Sequence, residues 1–183
     1  DDMGGALAAV RVWWMLRWVG YEHVAILDGG WQQWAKQNLP VQSGLVSRSA
    51  RPFQAKSRAG LVISSEQVEA IRLDAAWRLL DARGADRYRG ENEIIDPVAG
   101  HIPGAISAPY MGNLNPDGTF RPPEELARRY NRLIGNVPLE RVVVYCGSGV
   151  TSIHNILVMA HAGMGEARLY AGSWSEWITD PSR

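Results

Sequence analysis

The sequence predicts an α/β fold with a mainly parallel central sheet flanked by helices. Segments such as Arg78-Leu-Leu-Asp81 and Val142-Val-Val-Tyr145 are short, apolar and rich in branched residues, which is typical of buried strands. Other segments, such as 123–134 and 151–160, carry apolar residues at helical spacing. Strands that alternate with helices in this way favour a parallel sheet with helices packed on it.

The first 60 residues are predicted to contain two helices and one strand. Ala6 to Val19 lacks proline and internal glycine and stops at Gly20, so we expect a helix there. Val24-Ala-Ile-Leu27 is predicted as a short strand, and residues 31–37 as a short helix. Residues 38–60 are rich in Pro, Ser, Arg and Gln without clear periodicity, which indicates a linker.

The rest of the chain alternates more regularly. Ser64 is a plausible N-terminal cap for a helix that ends near Leu73. The further predicted elements are, in order, a strand at 78–81, a polar loop at 82–100, a strand end at 106–109, a helix at 123–134 that begins with proline, a strand at 142–145, a helix from 151, a strand at 167–170 and a helix at 173–178.

Cys146, the only cysteine, lies where a strand ends, a Gly147-Ser148-Gly149 loop turns and a helix opens near Thr151. Converging loop amides and the positive end of a helix dipole favour an anion at such a position. A thiol placed there is expected to have a depressed pKa and to be nucleophilic near neutral pH. The alternative is a buried structural cysteine. The two flanking glycines favour the reactive thiol, since a packing cysteine does not require them.

Composition limits the possible partners. The 183 residues are 46% hydrophobic and 21% charged, as in an ordinary globular protein, and Lys plus Arg equals Asp plus Glu at 19 each. That balance does not predict binding to nucleic acid or to anionic lipid. The apolar stretch at 12–16 is closed by Arg11 and Arg17 and is too short to span a membrane. A single cysteine excludes an intramolecular disulfide and favours the cytoplasm.

A metal site is not predicted, because the four histidines show no ligand spacing with the single thiol. A cysteine phosphatase would place its thiolate in a similar loop but needs an arginine six residues later to hold phosphate. That position is Ser152 here, which argues against a phosphatase.

Two segments of the chain repeat each other. Leu27-Asp-Gly-Gly-Trp31-Gln-Gln-Trp34 matches Tyr170-Ala-Gly-Ser-Trp174-Ser-Glu-Trp177, and the same interval places Asp2-Met-Gly-Gly5 opposite the Cys146 loop. We infer two related domains, the first without a thiol and present only as its C-terminal half. Because the chain starts at Asp1 rather than at methionine, we expect that part of a larger protein precedes it.

Four motifs stand out along the chain: Leu80-Asp81-Ala-Arg83, Arg87-Tyr-Arg-Gly90, Gly100-His-Ile-Pro-Gly-Ala105 and Cys146-Gly-Ser-Gly-Val-Thr151. Together they resemble the motifs of the tandem-domain rhodanese family, and within it those of the 3-mercaptopyruvate sulfurtransferases. The likeness covers nearly the whole chain. It implies a catalytic rhodanese-like domain at 61–183, a linker at 38–60, and the C-terminal half of an inactive rhodanese-like domain at 1–37.

The resemblance also implies an activity, in which Cys146 carries a sulfane sulfur as a persulfide. The donor would be 3-mercaptopyruvate or thiosulfate, and the acceptor a thiol, such as thioredoxin or glutathione, or cyanide, without any cofactor. Ser148 matches a loop serine used beside the cysteine, and Arg87 an arginine that holds the carboxylate of the donor. The binding loop would consist of Gly147, Gly149, Val150 and Thr151.

Some residues depart from the family pattern. A second arginine expected before Gly100 is replaced by Asp96 or Val98, which weakens the case for mercaptopyruvate, whereas the neutral Gly147-Ser148 pair argues against thiosulfate. We expect residues 1–183 alone to be poorly active, since one wall of the cleft would be missing. The remaining alternative is a non-catalytic rhodanese-like binding or regulatory module.

Overall fold

A five-stranded parallel sheet lies at the centre of the computed structural model, which describes residues 7–183. The strand order is β1-β5-β4-β2-β3, and every pair of neighbours is parallel. The strands are β1 (Val62–Ile63), β2 (Arg78–Asp81), β3 (Ile106–Ser107), β4 (Val142–Tyr145) and β5 (Arg168–Tyr170). The predicted α/β class with a mainly parallel sheet is therefore confirmed.

Seven α-helices accompany the sheet in residues 7–183. They are α1 (Leu7–Trp18), α2 (Gly30–Lys36), α3 (Ser65–Ile71), α4 (Ala85–Arg89), α5 (Pro123–Ile134), α6 (Ser152–His161) and α7 (Ser173–Trp177). The predicted cap of α3 is confirmed as a reciprocal capping box, in which Gln67 N–H donates to Ser64 Oγ at 3.4 Å and Ser64 N–H donates to Gln67 Oε1 at 2.8 Å. The predicted helix at 123–134 is confirmed at both ends.

Two sequence predictions were wrong, and one strand was missed. Residues 24–27 form no strand, because no neighbouring strand in the described part of the chain pairs with them; Val24 and Ile26 pack instead against the apolar core. The predicted polar loop at 82–100 contains α4. β1 was missed because two residues are too few to show a period.

Both faces of the sheet are buried, as the alternation of β4 shows. Val142 and Val144 belong to an apolar cluster formed with α1, α5 and α6. Val143 and Tyr145 belong to a second cluster, on the other face, formed with α3 and α7. The buried centre of the sheet thus fixes the position of the loop that follows β4.

The N-terminal segment packs on this domain. Val10, Trp13 and Trp14 of α1 are buried in the same cluster as α6. Residues 38–60, predicted as a linker, are almost all exposed and form no helix or strand before a 3-10 turn at 59–61. The segment Asp2–Gly5, predicted to correspond to the cysteine loop, lies outside the described residues. In residues 7–183, no helix has the length and apolar character needed to cross a membrane.

Candidate active site

The candidate site lies at the carboxyl edge of the sheet, where ligands bind in parallel α/β folds. β4 ends at Tyr145, Cys146 follows it, and α6 begins six residues later at Ser152. On the neighbouring strand, Asp81 is the register partner of Tyr145. The structure therefore places Cys146 between a central strand and a ten-residue helix.

The Cys146 thiol is only 2% exposed, yet its surroundings favour the thiolate. Burial raises the pKa of the thiol. The nearby hydroxyls of Thr151 and Ser152 and the backbone amides of Ser152 and Ser148 outweigh burial and lower the pKa of the thiol below its ordinary value.

We predict that the alkylation rate of Cys146 will rise through a midpoint below pH 8.5, the ordinary value for cysteine. Thr151→Val removes one hydroxyl that favours the thiolate and should shift the midpoint upwards. Iodoacetamide kinetics between pH 5 and 10 measure the midpoint; a value at or above 8.5 would contradict this prediction.

The depressed pKa of Cys146 also links the thiolate to the stability of the fold. The thiolate stabilises the folded protein at pH values above the pKa that the thiol has in the unfolded chain. This contribution is lost as the pH falls through the lower pKa that the thiol has in the folded protein.

The first turn of α7 anchors the cysteine loop, a contact that the sequence did not reveal. Trp174 N–H donates to the carbonyl of Cys146 at 3.0 Å, and Ser175 N–H to the carbonyl of Gly147 at 2.9 Å. The Ser173 hydroxyl accepts the Cys146 N–H at 3.1 Å. Ser173 has a φ of 56°, an unusual conformation for a residue with a side chain. With their carbonyls held by α7, the loop peptides are fixed in orientation.

The remaining loop residues have different environments. Gly149 has a φ of 71°, and a side-chain carbon there would collide with the carbonyl of Ala171, so glycine is required by the protein backbone rather than by a ligand. The Ser148 side chain is exposed, while Val150 and Thr151 are half-buried. The predicted loop residues therefore lie in the turn between β4 and α6, with Ser148 exposed to solvent.

Arg87 extends from α4 to the cysteine loop. Its Nε and Nη2 donate to both carboxylate oxygens of Glu93 at 2.8–3.1 Å, and Nη2 also donates to Asp96 Oδ2 at 3.0 Å. A carbon built on Gly147 would lie 3.9 Å from Arg87 Nη1 and 3.8 Å from Asp96 Oδ2. The predicted anion-binding guanidinium is thus beside the loop, but it already has two internal carboxylate partners.

A buried cluster of ion pairs lies next to Arg87 and shares Glu93 with it. Arg83 Nη2 donates to Asp81 Oδ2 at 2.7 Å and to the carbonyl of Gly100 at 2.6 Å, and both charged side chains are at most 1% exposed. Arg83 also contacts Glu93 at 3.3 Å and lies over the ring of Trp174. Asp81 and Arg83 therefore hold one another in place through a buried ion pair. Glu93, which joins this cluster to Arg87, was missed because nothing in the sequence pairs it with two arginines.

Glu93 is held as a carboxylate despite its burial. Burial raises its pKa, while hydrogen bonds from Arg87 and from the backbone amides of Asp96 and Ile95 lower it, so that the pKa lies below the usual value.

His101 fixes a turn near the site: its Nδ1 is 2.7 Å from the carbonyl oxygen of Tyr88, and the rings of the two residues stack. Within residues 7–183, no group of three His, Cys, Asp or Glu side chains is placed to hold a metal ion.

Comparison with known proteins gives a consistent result. The family model for the rhodanese-like domain matches residues 64–180. The chain is 48% identical to a Pseudomonas aeruginosa protein named a probable 3-mercaptopyruvate sulfurtransferase, covering 100% of this chain and 64% of that protein. It is 35% identical to the thiosulfate sulfurtransferase of Mus musculus, covering 97% and 60%. The structure of the 3-mercaptopyruvate sulfurtransferase from Leishmania major matches with a TM-score of 0.80 at 31% identity, covering 98% of this chain and 50% of that one. The chain thus spans less than two thirds of the curated relatives that it matches.

Proposed function

This chain belongs to the rhodanese-like domain family, and we propose on that basis that it is a sulfurtransferase using Cys146 as its nucleophile. The observation that carries the proposal is the position of Cys146 at the carboxyl edge of the sheet, between β4 and the start of α6, where nearby amides and hydroxyls lower the pKa of the thiol. The family model covers the segment that contains this loop, which supports the proposed division into a catalytic unit at 61–183, a linker at 38–60 and part of an inactive domain at 1–37. We place the activity in the cytoplasm, where an unpaired thiol stays reduced.

In the first half-reaction, the Cys146 thiolate attacks the sulfur of the donor. With 3-mercaptopyruvate, a new S–S bond forms and the C–S bond breaks; its electron pair remains on the carbon, which takes up a proton to give pyruvate. With thiosulfate, the S–S bond of the donor breaks and sulfite leaves with the electron pair. Either donor leaves a persulfide on Cys146, whose outer sulfur the loop amides can stabilise.

In the second half-reaction, an acceptor attacks the outer sulfur and Cys146 leaves as a thiolate. A thiol acceptor such as thioredoxin or glutathione becomes a persulfide, and cyanide becomes thiocyanate. Ser148 is exposed at the loop and suited to exchange a proton with the acceptor, while Arg87 is suited to attract the charged end of a donor. The depressed pKa makes Cys146 a good leaving group in this step.

Product release from each donor tests the proposal. We expect about one equivalent of pyruvate from 3-mercaptopyruvate, or of sulfite from thiosulfate, per chain before any acceptor is added, and thiocyanate on addition of cyanide. This burst of one equivalent of product can be measured even if residues 1–183 are poorly active in repeated turnover, as the sequence predicts. Absence of both products with an intact, titratable thiol would contradict the proposal.

A non-catalytic binding module is the second candidate. The near-complete burial of the thiol and the internal ion pairs of Arg87 favour it, since a closed site does not require a substrate. The burst experiment separates the two functions, because a binding module would release neither pyruvate nor sulfite.

A further inference from the structure

The mouth of the cysteine loop contains a carboxylate that no motif explains. Asp96 Oδ2 accepts a hydrogen bond from Arg87 Nη2 at 3.0 Å, and Oδ1 accepts one from the Ser175 hydroxyl at 2.7 Å. The Ser175 oxygen also lies 2.7 Å from the carbonyl of Gly147, next to Cys146. Asp96 therefore bridges Arg87 and α7 beside the first peptide of the loop.

The orientation of Arg87 does not require Asp96. Three of the four hydrogen bonds of the guanidinium go to Glu93, which holds the edge formed by Nε and Nη2. The edge formed by Nη1 and Nη2 is the other one that could bind a carboxylate through two hydrogen bonds. Asp96 takes the Nη2 position of that second edge, and Nη1 has no hydrogen bond to any of residues 7–183.

The local charge also disfavours an incoming anion. Asp81, Glu93 and Asp96 supply three carboxylates, whereas Arg83 and Arg87 supply two guanidiniums, which leaves one net negative charge. The side chains of Glu93 and Asp96 are only 3% and 6% exposed, so water screens them little.

We propose that Asp96 determines donor specificity by occupying the arm of Arg87 that a donor carboxylate would use. A donor anion must displace Asp96 from Nη2, so Asp96 weakens the binding of a donor whose carboxylate would use that arm of Arg87. The inference rests on the proposed function in that it concerns the same sulfur-transfer site. It goes beyond it in assigning the discrimination to one internal carboxylate.

Alkylation of Cys146 tests this inference without any sulfur transfer. Iodoacetate and iodoacetamide are similar in size and both alkylate the thiolate with loss of iodide, but only iodoacetate is an anion. The ratio of their rate constants cancels differences in the pKa and accessibility of the thiol. Because Cys146 is the only cysteine, intact mass reports its alkylation directly.

We expect Asp96→Asn to raise the iodoacetate-to-iodoacetamide ratio about tenfold, the scale of one charged hydrogen bond. Glu91→Gln is the matched control: it removes one negative charge from an exposed pair with Arg89 and should leave the ratio unchanged. In an Arg87→Gln background, Asp96→Asn should raise the ratio less than about threefold, since no guanidinium remains to be released.

An unchanged or lower ratio in Asp96→Asn would overturn the inference, as would a full tenfold rise in the Arg87→Gln background or failure of both reagents to alkylate any variant. The proposed function is tested separately by sulfur uptake. Uptake of sulfur with an unchanged ratio contradicts only the role of Asp96. A raised ratio without sulfur uptake supports that role and contradicts the sulfurtransferase proposal.

Discussion

Cys146→Ser is expected to slow sulfur uptake from either donor by about 10³-fold or more, the order of effect seen when an enzyme loses its nucleophile. A serine hydroxyl has almost the same size as the thiol but is not ionised near neutral pH, so the loop amides have no anion to stabilise. Pyruvate or sulfite released in a single turnover measures the rate. No other cysteine can substitute, because the sequence has only one.

The control for Cys146→Ser is a test that the variant protein is folded. Oxygen for sulfur is a small change at a buried position, so the cooperative unfolding transition and the far-UV circular dichroism should be retained. A folded Cys146→Ser protein that still takes up sulfur at the wild-type rate would show that another group is the nucleophile.

Arg83→Met is expected to lower the free energy of unfolding by about 3–5 kcal/mol. Methionine replaces the volume of the side chain but leaves Asp81 without its ion partner at 0% exposure, and it removes the hydrogen bond to the carbonyl of Gly100. Glu93 would lose one of its two arginine partners. Urea unfolding at neutral pH measures the change.

Arg89→Met is the matched control for Arg83→Met. Arg89 has an ion pair of similar length with Glu91, but both side chains are more than half exposed. Surface pairs of this kind contribute little, so the unfolding midpoint of Arg89→Met should stay close to wild type. Equal destabilisation by the two variants would contradict the structural role given to the buried cluster.

The position of Cys146 could be predicted from sequence because several local signals agree there. Three valines and a tyrosine indicate a buried strand, and the apolar spacing after residue 151 indicates a helix. The loop between them must then lie at the edge of the sheet. Agreement between strand, loop and helix signals makes such a prediction reliable.

The environment of the cysteine could not be predicted in the same way. The contacts of Trp174 and Ser175 with the loop join residues that are 28 positions apart in the sequence. They depend on how α7 packs after β5. Glu93 and Asp96 lie in a segment without a period, so nothing local indicates that they pair with Arg87. The wrong strand at 24–27 has the same cause: its composition suits a strand, but pairing depends on a distant partner.

Intact mass after incubation with a sulfur donor tests the central claim most directly. If the loop holds Cys146 as a thiolate nucleophile, the protein should gain the mass of one sulfur atom from 3-mercaptopyruvate or thiosulfate, lose it again on addition of cyanide, and gain none as Cys146→Ser. A wild-type mass that stays unchanged with both donors, while iodoacetamide still alkylates the thiol, would contradict the account.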